Sequence, residues 1–82
     1  MKTKIINESE IFGDVVFAGN IKFTAKKVIV HGKINAGGYI YADGNIHARD
    51  NINAGGNINA DGKISAGGEI KSRNLNKKTR ED

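Results

Sequence analysis

From Gly32 to Arg73 the chain repeats every six residues, as GKINAG, GYIYAD, GNIHAR, DNINAG, GNINAD, GKISAG and GEIKSR. An aliphatic residue holds the third place of each block, from Ile34 through Ile70, and a small residue holds the fifth, from Ala36 through Ser72. Positions two apart share one face of a β-strand, and the residue between them faces away. Glycine opens every block except the one led by Asp50. It suits corners because it tolerates positive φ. A helix does not keep one face at a period of six, and so much glycine would weaken it. A hairpin meander would need strands of only about three residues, below the usual five or six. The pattern therefore predicts an all-β chain, a single small β-solenoid whose coils stack with like positions aligned.

Three blocks per coil would put residues about eighteen apart in the same column, at the ~4.8 Å spacing of paired strands. Ile34, Ile52 and Ile70 then form one inner column, Ile40 and Ile58 a second, and Ile46 and Ile64 a third. A two-sided coil of about twelve residues fits the same period. Three sides are preferred, because single isoleucines and alanines fill a small triangular interior better than a flat one.

The rhythm begins before Gly32 in bulkier form, with GDVVFA from Gly13, GNIKFT from Gly19 and, after the extra Ala25, KKVIVH from Lys26. The expected solenoid spans 13–73, about three coils. Phe17, Phe23 and Val30 take the places that alanine holds later, and should stack on Ala36, Ala42 and Ala48 as a plug at the N-terminal end. Residues 1–12 are expected to be a lead-in or cap. Residues 74–82 are expected to be a basic, flexible tail. Nothing bulky follows Ile64 and Ile70, so the C-terminal end is expected to offer an open strand edge for pairing with another chain.

A chain of 82 residues is one domain, at a size where a single core barely offsets chain entropy. It has no Cys, hence no disulfide and no thiol chemistry. No apolar run is long enough to span a bilayer, and no secretory pattern opens the sequence, so a cytoplasmic location is expected. The net charge of +4 divides as +2 for 1–31, −1 for 32–70 and +3 for 71–82. This is a mild bias toward anionic partners.

GNINADGKISAGGEIKS resembles the polymer-forming bactofilins and, more closely, short GGxIxAG repeat proteins of bacteria and their phages. The likeness covers about Gly13 to Arg73. The bactofilin resemblance implies a triangular, right-handed β-helix that self-assembles without a nucleotide, lies near the inner membrane surface and serves as a scaffold. The present repeat is shorter and richer in Gly and Ala.

The residues point away from catalysis. His31 and His47 are the only histidines, and in the three-sided register neither has a second ligand beside it, as zinc or general-base chemistry requires. Asp43 and Asp61 share a corner column, where Asp-Gly turn chemistry accounts for them. Asn35 with Asn53, and Asn51 beneath Glu69, form outward amide ladders. No phosphate-binding, triad or metal signature occurs in a usable context. The expected protein is not an enzyme, with no catalytic or metal site and no cofactor.

The leading expectation is a self-associating scaffold module, a homodimer or larger, joined through Ile64, Ile70 and Leu75. The other is a phage or mobile-element protein that binds and inhibits a host protein, such as a defence nuclease complex, in the manner of an anti-CRISPR. Tyr39 and Tyr41 flank Ile40 and point outward, as contact aromatics often do. With Lys77, Lys78 and Arg80 they are the candidate partner contacts. The basic tail also suits nucleic acid or an anionic membrane surface, but it carries no interleaved aromatics.

Overall fold

The computed structural model describes residues 2–72 and 74–77, the last four through their backbone. Its secondary structure is all strand, and the strands form three parallel sheets. In chain order they are β1 (Thr3–Ile6), β2 (Glu10–Ile11), β3 (Val15–Phe17), β4 (Asn20–Phe23), β5 (Lys27–Val30), β6 (Ile34–Ala36), β7 (Ile40–Ala42), β8 (Asn45–Ala48), β9 (Ile52–Ala54), β10 (Asn57–Ala60), β11 (Ile64–Ala66), β12 (Ile70–Lys71) and β13 (Asn74–Lys77). One sheet runs β1-β4-β7-β10-β13, a second β2-β5-β8-β11 and a third β3-β6-β9-β12. Each strand thus pairs with the strand three later, which is a three-sided β-solenoid of four coils and one further strand.

The register follows the repeat. Ile34 pairs with Ile52 and Ile52 with Ile70, Ile40 with Ile58, and Ile46 with Ile64. The inner columns are dry. Ile21, Ile34, Ile40, Ile52 and Ile58 have 0% exposure. Burial of such a side chain contributes about 1.5–3 kcal/mol, which is how a three-residue strand holds its place. Phe17 stacks on Ala36, Phe23 on Ala42 and Val30 on Ala48.

The coil count exceeds the expected three because both flanks join the ladder. β1 pairs with β4 through Lys4↔Ile21 and Ile6↔Phe23, and β2 with β5 through Ile11↔Val30. At the other flank β13 lies on β10, with Leu75 in register with Ile58 and Lys77 with Ala60. Both β1–β4 and β10–β13 step by seventeen residues, one fewer than the repeat predicts.

The corner glycines answer a spatial need more than a torsional one. Only Gly13 has a positive φ, 111°. Elsewhere an added Cβ would collide with the coil beneath: at Gly44 with the Lys26 carbonyl, at Gly62 with the Asn45 carboxamide, at Gly68 with that of Asn51. Those amides are in place because Asn45 Oδ1 accepts the Lys63 N–H at 2.8 Å and Asn51 Oδ1 the Glu69 N–H at 2.9 Å. Asn20 and Asp14 do the same for Tyr39 and Lys33. Asp50 takes the leading place over Gly32, whose carbonyl accepts its N–H at 3.0 Å and which is followed by Lys33, not by an Asn or Asp.

Candidate functional site

Three surfaces gather the unusual residues: the two ends of the solenoid and the outer face of the five-stranded sheet.

At the N-terminal end β1, β2 and β3 are the outermost strands of their sheets. Beyond the expected plug of Phe17, Phe23 and Val30, a cleft of about 550 Å³ opens between these strands. Its floor is Ile6, Ile11 and Val15, and Glu8, Glu10 and Asp14 stand around it. Phe23 is the buried ring, at 0% exposure. Phe17 is half-buried because it belongs to a terminal strand with no coil beyond it. Lys4 pairs with Ile21 and so occupies an inner-column position, and its Nζ stands 6.0 Å from the centroid of the Phe17 ring. Lys4 is exposed in this terminal coil, and a charge on an edge strand opposes strand addition, because a joining chain would bury it. At the neighbouring corner His31 Nε2 lies 2.8 Å from Glu10 Oε2, and the His31 ring stacks on Phe12 at 4.7 Å and 5°. That pair ties β2 to the corner that follows β5. The contacts of His31 are structural, with no metal ligand or second histidine beside it among the described residues.

At the C-terminal end β11 and β12 are the outermost strands of the other two sheets. Ile64 is 1% exposed, so it offers a partner its backbone edge and not its side chain. Ile70 is half-buried. Leu75 and Lys77 lie in β13. Lys78 and Arg80 lie outside the described residues.

Tyr39 and Tyr41 are 49% and 53% exposed. Tyr41 stands on the outer face of the five-stranded sheet, between Lys22 and Asn59 in register. Tyr39 borders it, its N–H held by Asn20 Oδ1 at 2.8 Å. The Tyr39 ring rests against Gly56, with Cδ1 3.2 Å from where a Cβ would stand. The five strands of this sheet contain no Asp or Glu.

The remaining polar residues make no reactive cluster among the described residues. No three His, Cys, Asp or Glu residues converge. His47 is exposed between Ile29 and Ser65. Asp43 and Asp61 are both exposed. Asn35 pairs with Asn53 through the backbone. Asn20, Asn45 and Asn51 accept backbone N–H groups from the next coil, and each stands just before an inward aliphatic residue. That placement was the signal for the corner role. No helix among the described residues is long and apolar enough to cross a membrane. No family model, curated protein or solved structure matches the chain.

Proposed function

We propose that the chain is a non-enzymatic, self-associating β-solenoid that serves as a structural module in the cytoplasm, and that its copies meet through the C-terminal end. The observation that carries this reading is the contrast between the terminal edges. β11 and β12 close their sheets with backbone edges that no described strand pairs, beside the half-buried Ile70. The N-terminal edge, by comparison, carries the exposed Lys4 and three carboxylates around its cleft. A chain of 82 residues without disulfides gains proportionally more than a large one from covering such an edge. Pairing like edge with like edge gives an isologous, closed dimer, whereas pairing unlike ends would give an open filament. The guarded N-terminal end favours the dimer. A compact dimer would also suit an inhibitor of a host protein, and a filament would suit a bactofilin-like scaffold.

Sedimentation velocity at micromolar concentration tests the reading. The wild type is expected to sediment as a dimer. Ile70→Lys is expected to sediment as a monomer with an unchanged circular dichroism spectrum, because burying an unpaired ion costs several kcal/mol. A wild type that stays monomeric across the concentration range sinks the proposal.

A further inference from the structure

The chain has two tyrosines and no tryptophan, and the fold places both tyrosines on one side of the prism, away from the two ends. We propose that this side, the outer face of the five-stranded sheet around Tyr39 and Tyr41, binds single-stranded nucleic acid. The inference is independent of end-to-end association.

The first argument is the platform. Both rings are about half exposed, and Tyr39 lies over Gly56, where no side chain lifts it from the surface. A half-exposed aromatic ring beside a sheet is the element on which nucleic-acid bases stack, with little regard to sequence.

Spacing supplies the second argument. Tyr39 immediately precedes β7 and Tyr41 lies within it; two residues of extended backbone span about 6.5–7 Å, roughly twice the ~3.4 Å rise of a stacked strand. Neighbouring bases reach both rings only when they are unstacked, so a single strand fits and a duplex does not.

Charge is the third. The five strands carry no carboxylate, although the chain has nine acidic residues. Lys22 is in register beside Tyr41, within reach of a phosphate bridging two stacked bases. On the other side of the tyrosines stand Asn57 and Asn59, whose amides offer donors and acceptors to base edges or sugar hydroxyls. The chain as a whole is basic, with a pI near 9.5, which adds a salt-dependent attraction for phosphate.

The test is fluorescence anisotropy with labelled oligo(dT) and oligo(U) of about a dozen nucleotides, read together with intrinsic tyrosine emission. Because both tyrosines belong to the face, emission reports its occupancy directly. The expected result is binding of the single strands with quenched tyrosine emission, weaker binding of a duplex, and affinity that falls with added salt. The double substitution Tyr39→Ala and Tyr41→Ala is expected to weaken binding by about tenfold or more, with an unchanged circular dichroism spectrum. Lys22→Glu should weaken it in the same direction without removing a ring. Absence of binding, or binding without quenching and unaffected by the double substitution, overturns the proposal. Binding lost only on deletion of residues 78–82 overturns it in favour of the tail alone. Quenching by a neutral oligosaccharide with no response to either oligonucleotide overturns it in favour of a sugar.

Discussion

Between Val15 and Val30 the space beside the main aliphatic columns is filled by Phe17, Phe23 and Val30. From Ala36 onward the same places hold alanine through Ala66. The steps between paired residues differ in parallel. Val15↔Ile34, Ile21↔Ile40 and Ile11↔Val30 span nineteen residues, while Val28↔Ile46, Ile34↔Ile52 and Ile46↔Ile64 span eighteen. The first region accommodates an extra residue at the Thr24–Ala25 bend between β4 and β5, beside large side chains. The second has an interior too narrow for variation, with glycine corners against which the Asn amides of the coil below already stand. A bulky interior tolerates irregular corners, and a narrow one depends on strict period.

Deletions should separate the two regions most sharply. Removing Asn53 is expected to abolish cooperative folding, because every later side chain changes face. Removing Ala25 instead restores the eighteen-residue step and should leave a folded chain. Circular dichroism melts of both variants check this, and equal damage would mean that the first coil is as strict as the others.

The next largest effect is in the rings. Phe23→Ala, at a fully buried site, is expected to lower stability by about 3–5 kcal/mol in urea melts. Phe17→Ala, at a half-buried one, should cost no more than about half of that. Equal losses would show that Phe17 is covered after all, by a partner at the N-terminal end.

A smaller contrast lies at the corners of the regular coils. Gly62→Ala must displace the Asn45 carboxamide and leave the Lys63 N–H unbonded, a loss of about 1–3 kcal/mol. Asp50→Gly, at the corner with no amide beneath it, should stay within about 0.5 kcal/mol. Chemical denaturation of the two variants measures the difference.

Much of this was legible in the sequence. The isoleucine period gave the three sheets, the pairing of Phe17 with Ala36 and the outward aim of the tyrosines. Two features were not. At each flank of the five-stranded sheet one residue is missing from the step, so Lys4 and Leu75 fall out of the six-residue phase although they lie in register with Ile21 and Ile58. A periodic reading stops where the phase slips, but backbone pairing does not. The corner chemistry was hidden for another reason. A leading glycine suggests positive φ, whereas atoms of the coil beneath, such as the Lys26 carbonyl at Gly44 and the Asn45 amide at Gly62, decide the matter only once the coils are stacked. For the candidate surfaces, the tyrosines were visible as contacts. The N-terminal cleft was not, because Ile6, Ile11 and Val15 line one space only when β1 and β2 join the ladder.

The contrast between the two ends is the claim on which the functional account depends. Amide hydrogen exchange, followed as a function of protein concentration, tests it directly. If copies meet at the C-terminal end, protection should rise with concentration in β11 and β12, at residues 64–66 and 70–71, while β1, β2 and β3 keep the exchange of a free edge. Protection that rises instead at the N-terminal strands, or that does not change with concentration at either end, would contradict it.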